Sequence, residues 1–246
     1  MIVDTFSFYN EFDVLRKRLK YLNNHVDKFV LVESTVTHSG QPKELFFDKN
    51  KNNFSEYLEK IEHIIVSDNP DDSNPWSREN HQRNCITRGL TSVPDDAIVM
   101  ISDVDEIPNV KVLDEFPKLN VETASVHMLA FQYSFKYIQN HEPWFGTAIS
   151  RKSTVLEKTP QYFRDKRWQF PYFKDSGWHL SSFGDAKHVY NKIKTFAHCN
   201  DGIHPTQTQE DFDKIVNGGL WTDGKSTLPQ TPYEVLKSLP PELYTP

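Results

Sequence analysis

Ala97-Ile98-Val99-Met100-Ile101 is a continuous apolar run that ends on Ser102 and is followed at once by Asp103-Val104-Asp105. A short apolar run with polar residues at its end reads as a strand buried on both faces of an α/β sheet. Ligands of open α/β sheets sit outside the carboxyl ends of the strands, which is where the two carboxylates fall. Spaced i, i+2, they can hold a hard divalent cation, Mn²⁺ or Mg²⁺, and the cation can hold a diphosphate. Glu106 comes next with the opposite strand parity and reads as structural.

The surrounding sequence supplies the sheet that such a strand needs. Residues 2–8 read as a strand. Phe12, Leu15, Leu19 and Leu22 then recur at helical spacing on a basic, amphipathic segment. Lys28 to Glu33 reads as a second strand and Ser34 to Pro42 as a loop. Ser55 is expected to cap a short helix through Ile61, with Ile64-Ile65-Val66 as a third strand. Asp68 to Pro75 reads as a loop, Trp76 to Leu90 as a helix, and Ala97 to Ser102 as the fourth strand. Repeated β-α-β units imply a mostly parallel sheet with helices on both faces.

Beyond the acidic turn the character changes. Ala124 to Phe135 alternates and is aromatic, which suits a strand with one face on a core and one on a cleft. Residues 136–178 are rich in aromatics, Arg and Lys and carry few helical signals. Asp185 to Phe196 has Val189, Ile193 and Phe196 at helical spacing, and Gln209 to Val216 reads as a helix stopped by Gly218-Gly219. The proline-containing tail is expected to wrap the domain in extended form. The expectation is one domain over 1–246, with a nucleotide-binding half (about 1–107) and an acceptor half (about 108–246).

At 246 residues with 13% aromatics, the chain can bury a sizeable core and line a cleft with rings. A net charge of -6 without a basic stripe argues against nucleic acid as a partner. No signal-like segment precedes Ile2, and no run approaches the ~18 apolar residues of a membrane span. The expectation is a cytoplasmic protein of a bacterium or a virus-infected host. Cys85 and Cys199 are too few for a disulfide framework and read as packed thiols, with a single bridge left open.

Several stretches together resemble glycosyltransferase family 17. They are Phe8-Tyr9-Asn10-Glu11-Phe12-Asp13-Val14-Leu15 with Arg18, Val26 to Ser34, Gly40-Gln41-Pro42-Lys43, Asp95 to Pro108, Gly177-Trp178-His179-Leu180-Ser181, and Gly218 to Gly224. They run in order from about residue 5 to 225. The strand with its acidic motif and the Gly-Trp-His motif are the specific ones. The resemblance implies an α/β, GT-A-like (Rossmann-like) fold, a mostly parallel mixed sheet flanked by helices. It implies metal-dependent, inverting transfer of a sugar, GlcNAc by default, from a UDP-sugar donor to a hydroxyl of a glycan or glycoconjugate acceptor. Vertebrate members of the family carry a Golgi membrane anchor and stem, which this sequence does not show.

That reading assigns roles residue by residue. Asp103 and Asp105 would hold Mn²⁺ or Mg²⁺, which acts as a Lewis acid on the departing UDP; Asp103 would alternatively touch the ribose. A third ligand or diphosphate contact would come from His179, with His198 as its rival, each competing with a hydrogen-bonded core role. Trp178 would stack on a sugar or fill the core. Glu11 and Glu33, after the first and second strands, would meet uracil or ribose, or cap and anchor loops. Arg83, preferred over Arg78, would contact phosphate. Inverting transfer needs a base for the acceptor hydroxyl. By fold analogy it sits at a helix start roughly 75–85 residues beyond the acidic motif, where Asp185 stands. Asp185 also suits an ordinary N-cap, and Asp175 is the second candidate.

Two other classes fit less well. A sugar nucleotidyltransferase normally shows a Gly-rich basic loop after its first strand, and here that place is Tyr9-Asn10-Glu11-Phe12. A carbohydrate-binding module would use the aromatics but would not need a βαβ half.

Overall fold

The computed structural model describes residues 1–140, 143–197 and 207–244. Its strands are β1 (Ile2–Phe8), β2 (Lys28–Ser34), β3 (Ile61–Val66), β4 (Ile98–Asp103), β5 (Glu106–Pro108), β6 (Thr123–Gln132), β7 (Trp144–Arg151), β8 (Tyr172–Phe173) and β9 (Gly177–Ser181). Its helices are α1 (Phe12–Leu22), α2 (Phe46–Asn50), α3 (Pro75–Asn84), α4 (Lys111–Glu115), α5 (Lys152–Lys158), α6 (Pro160–Lys166), α7 (Ala186–Thr195), α8 (Gln209–Gly218), α9 (Tyr233–Lys237) and α10 (Pro241–Tyr244).

The strands run in the order β3-β2-β1-β4-β7-β6-β9-β5, with β8 on β6. Parallel pairing joins β3, β2, β1 and β4. Antiparallel β7 then separates β4 from β6. This is the mostly parallel, mixed α/β sheet of GT-A-like type that the sequence leads one to expect. Register sets the working edge: Ser7 lies beside Asp103 and Phe8 beside Glu33. On the other side, Glu106 pairs with His179. The first four strand ends and the later β9 therefore converge on the acidic turn.

Two buried layers hold the sheet. Phe6, Phe29, Leu31 and Met100 face Leu15, Leu19 and Leu22 of α1. Val3, Val30, Val32, Val99 and Ile101 face the opposite layer with Ile86, Leu90 and Phe163. Such β-branched, two-faced burial is what continuous apolar strands report. A third cluster joins Val189 and Ile193 of α7 to Phe212 and Ile215 of α8.

Local chemistry explains the helix ends. Asn74 caps α3 through Trp76 N at 3.1 Å, with Pro75 in the first turn. Thr208 and Asp211 form a capping box on α8, which Gly219 ends at φ 63°.

Three expectations are corrected. Ser55 caps no helix: α2 begins at Phe46, residues 51–57 continue as a 3-10 segment, and Ile61 already belongs to β3. The stretch 136–178 contains the central strand β7 and the helices α5 and α6. The tail is not simply extended, because α9 and α10 form in it and Leu243 is fully buried. Cys85 is a buried free thiol; Cys199 lies outside the described residues. No helix among the described residues is long and apolar enough to cross a membrane.

One polar group sits at the centre of this packing. Arg18 on α1 is fully buried and donates Nε and Nη2 to Asp4 at 2.7 and 2.6 Å. Its Nη1 donates to the carbonyls of Asp103, Val104 and Glu106 at 3.1, 3.2 and 2.8 Å. Replacing Arg18 with Met leaves Asp4 and three carbonyls unpaired, and breaking a buried pair costs about 3–5 kcal/mol. For a chain of this size that is a fall in Tm of about 6 °C or more. Thermal unfolding of Arg18→Met checks it, and a Tm within a degree or two of the parent would contradict the assignment.

Candidate active site

A cleft of about 640 Å³ opens where the strand ends converge. Its walls include Tyr9 and Glu11 after β1, Lys43, Glu79 and Arg83 of α3, and Asp103 to Asp105. Trp144, Arg164, Arg167, His179 and Lys192 complete it.

The two aspartates of the acidic turn differ. Both carboxylate oxygens of Asp103 are held by guanidinium groups: Oδ1 by Arg83 at 2.9 Å and Oδ2 by Arg164 at 2.9 Å. Burial alone would raise its pKa, but Arg164 and Arg83 outweigh it and hold the carboxyl far below the usual range. Asp105 is the more deeply buried of the two and meets Lys192 of α7 through Oδ2 at 3.0 Å. Its Oδ1 faces His179 Nε2 at 3.9 Å. Its pKa is lowered because Lys192 and then His179 outweigh burial. Lys192 also lies 3.3 Å from Glu11, and its pKa is raised because the two carboxylates overcome burial.

Glu106 is the anchor of this network. It is fully buried and accepts from Asp103 N (2.9 Å), Trp144 Nε1 (2.9 Å) and Arg164 Nη1 (2.6 Å). His179 stacks flat on Trp144, with ring centroids 4.2 Å apart and planes at 12°. Its Nδ1 is buried without a hydrogen-bond partner among the described residues, and burial lowers its pKa. Arg167 carries a second consequence of crowding. Burial, then repulsion from Arg164, brings its pKa down to about 10.

The structure thus brings Glu11, Arg83, Asp103, Asp105 and His179 together. It places the other sequence candidates elsewhere. Glu33 is fully buried and ties down the 43–47 segment, accepting from Lys43 Nζ (3.0 Å), Phe46 N (2.5 Å), Phe47 N (3.1 Å) and His63 (3.1 Å). Trp178 is buried against Tyr21 at 5.4 Å, on the strand face opposite His179. Asp185 caps α7 by accepting from His188 N at 2.8 Å, three residues past Ser182, which lines the cleft. Asp175 is exposed at φ 48° and lies 2.9 Å from His127, outside the cleft lining. Arg78 donates to Asp72 O at 2.6 Å and packs on Gly40, where a Cβ would sit 2.4 Å from its Nη2. His198 lies outside the described residues.

Sequence reasoning missed Trp144, Arg164, Arg167 and Lys192. The first three fall in the aromatic and basic stretch 136–178, which carried the signal in composition but not in pattern. Lys192 follows Asp185 by two helical turns and was legible only as a helix residue.

Among the described residues, three groups close enough to hold a metal are Asp68, His81 and Cys85, outside the cleft lining. There Arg88 pairs with Asp68 at 2.9 and 2.6 Å, and His81 lies 3.5 Å from the same carboxylate.

A mostly parallel sheet whose strand ends open on carboxylates, cations and stacked rings defines the class, a Rossmann-like GT-A protein. The chain belongs to glycosyltransferase family 17, whose sequence profile matches residues 1–219. The β-1,4-mannosyl-glycoprotein 4-β-N-acetylglucosaminyltransferases of Rattus norvegicus and Homo sapiens are each 29% identical to it over 115 residues. Those matches cover 44% of this chain and 21% and 22% of the relatives, so the chain spans about a fifth of their length. Among solved structures, the glycosyltransferase GlyE of Streptococcus pneumoniae TIGR4 is similar at TM-score 0.35 and 17% identity, over 68% of this chain and 38% of that one. The inositol-1-phosphate CTP transferase of T. maritima gives 0.43 and 13%, over 78% and 95%. The galactosyltransferase LgtC gives 0.42 and 9%, over 97% and 100%. At these scores the fold reading rests on strand order and register.

Glu106→Gln keeps the shape of the anchor but removes the fully buried one of Arg164's two carboxylate partners, leaving it Asp103 alone among the described residues. A loss of about 3 kcal/mol is expected, read as a fall in Tm of about 6 °C. Asp165→Asn, at the cleft wall, should leave Tm within about 2 °C, since surface changes lie mostly within ±0.5 kcal/mol. Equal melting of the two variants would remove Glu106 from its anchoring role.

Proposed function

We propose that this chain transfers a sugar from a UDP-sugar to a hydroxyl of a glycan or glycoconjugate, inverting the anomeric centre, with Mn²⁺ or Mg²⁺ bound at the acidic turn. One observation carries the reading. Asp105 presents a carboxylate oxygen to His179 across 3.9 Å, at the end of a buried strand, within a cleft walled by Arg83, Arg164, Arg167 and Lys192. The donor set fits a hard cation: a carboxylate oxygen, an imidazole nitrogen and no thiolate. Among the described residues the buried Nδ1 of His179 has no hydrogen-bond partner, while Nε2 is the nitrogen turned toward Asp105. Asp105 and His179 are the residues that would hold the ion, whose chemistry when bound is Lewis-acid neutralisation of the leaving UDP. Asp103, with both oxygens on arginines, would act by fixing those arginines or by meeting the ribose.

The chain's own groups account for the rest. Arg83, Arg164 and Lys192 stand where diphosphate charge would sit, and fixed cations in a shielded cleft favour developing charge without reorganisation. Tyr9, Thr37 and Lys43 line the first-half wall, a suitable place for uracil and ribose. Transfer requires a base within reach of the acceptor hydroxyl. Asp185 remains our candidate, three residues along the chain from Ser182 of the cleft lining, and Asp175 the alternative. The donor half is then 1–107 and the acceptor half 108–246. GlcNAc is the default sugar because the matched relatives are named N-acetylglucosaminyltransferases.

Calorimetry with UDP, with and without Mn²⁺, tests the metal and nucleotide together. Parent protein should bind UDP more tightly with Mn²⁺, and Asp105→Ala should lose that difference while melting as a folded protein. UDP binding by Asp105→Ala with unchanged metal dependence would sink the assignment.

The base is tested separately. Asp185→Asn preserves the cap and should leave UDP binding and Tm unchanged. Transfer should fall by a factor of roughly 10² or more. Near-normal turnover would reject Asp185, and a collapse in Asp175→Asn alone would move the role there.

A further inference from the structure

Outside the cleft, the acceptor half carries a cluster of aromatic side chains whose ring surfaces face solvent. Trp168, in the loop after α6, is 46% exposed and Tyr172 is 54% exposed. Both pack on Phe145, with ring centroids 5.2 and 5.0 Å away at 70° and 84°. His127 closes the group, 5.5 Å from Phe145 and 6.3 Å from Tyr172. Edge-to-face packing on one central ring fixes the orientation of the outer rings. Two large rings held in place and left in water mark a binding surface rather than a core.

The patch is continuous with the cleft. Arg167 lines the cleft, and its guanidinium lies over the Trp168 ring at 4.7 Å and near Trp144 at 5.9 Å. Trp144 is the ring that stacks on His179. One guanidinium therefore joins the cleft-wall tryptophan to the exposed one. Phe145, which seats the exposed rings, is the next residue to Trp144 in β7. The rim is polar, with His127 2.9 Å from Asp175. Flat apolar rings beside fixed hydrogen-bonding groups match a saccharide, which offers C–H faces and equatorial hydroxyls on one body. A peptide or lipid partner would be better served by a broader apolar surface without the polar rim.

We propose that Trp168 and Tyr172 form a stacking subsite for the acceptor glycan, holding sugar residues next to the one that receives the transferred sugar. This rests on the glycosyl-transfer reading above and specifies where the acceptor lies. It gives Phe145 and His127 a positioning role, and it gives Asp175 a place at the acceptor rim. The length of oligosaccharide recognised is then set by the span from Trp144 past Arg167 to Tyr172.

The experiment uses a printed array of N-glycans and microbial oligosaccharides with parent protein, Trp168→Ala, Trp168→Phe and Tyr172→Ala. UDP binding is measured by calorimetry on the same samples. Parent protein should bind a subset of glycans, and each Ala variant should lose roughly tenfold in affinity, as for an aromatic anchor. Trp168→Phe should retain most of it, and UDP binding should be unchanged throughout. Because both rings are exposed, the Ala variants should fold, which the UDP titration reports independently. No glycan bound by parent protein, or glycan binding as tight as the parent's in both Ala variants, overturns the subsite. A parent dimer in sedimentation that Trp168→Ala dissolves would also overturn it, in favour of self-association. Glycan binding that needs Trp168 in a protein that binds no UDP would support the subsite and overturn the donor reading instead.

Discussion

The acidic turn depends on a guanidinium that never reaches the cleft. Arg18 approaches from behind, through α1, and donates to the carbonyls of Asp103, Val104 and Glu106 while Asp4 neutralises it. A chain that leaves β4 and reverses into β5 within three residues turns several carbonyls toward the core. Buried carbonyls need donors, and one forked side chain supplies them. Phe6 packs on the same guanidinium at 4.7 Å. The pair is stabilising less through its own attraction than through what it prevents: an unpaired buried charge and three unpaired acceptors. The positions of both aspartates follow from it.

In front of the turn the charges are arranged unequally. Asp103 is fixed from two sides by Arg83 on α3 and Arg164 on α6, and Glu106 fixes Arg164 in turn. Among the described residues Asp105 has Lys192 on one oxygen and a distant imidazole on the other. Removing a partner from Asp103 would disturb a closed network, whereas Asp105 meets a single lysine, which it shares with Glu11 among the described residues. Within one Asp-x-Asp motif, the first acid is part of the scaffold and the second is the adaptable group. Their spacing gives no hint of this; it follows from which helices cross the strand end.

The parallel half was legible where a strand is an apolar run, as in β2 and β4, and where a connection is a patterned helix, as in α1; the connection from β2 to β3 has no such pattern and was misread. β7 was not legible, for a physical reason. Its sequence, WFGTAISR, buries Thr147 and Ser150, and their hydroxyls bond Ser102 at 2.8 Å and Thr123 at 3.0 Å. A strand that satisfies polar side chains across the sheet shows no continuous apolar run. Gly146 adds to the disguise, since a Cβ there would meet the Met128 sulfur at 2.5 Å. Strand parity separated Trp178 from His179, but only the packed structure says which one faces the core. Glu33 stood at the right sheet edge for a nucleotide contact. Its use depends on the 43–47 segment folding over it, a long-range event that no local pattern records. The ring cluster around Phe145 was visible as composition alone, because its members come from β6, β7, β8 and a loop.

The two halves are coupled through Lys192. It belongs to α7 in the second half, yet its ammonium lies between Asp105 of the turn and Glu11 at the end of β1. α7 is held in place by Val189 and Ile193 against α8, not by the main sheet core. A change of charge at Asp105 would act on one of the two ion pairs that Lys192 makes with the first half among the described residues. Coupling of that kind would be reciprocal: whatever shifted α7 would also shift the affinity of the acidic turn for the cation proposed above. Asp185, at the first residue before α7, and Lys192, near its end, lie on the same rigid element. A charge bound at the turn would thus act, through Lys192, on the same ten-residue helix that Asp185 caps.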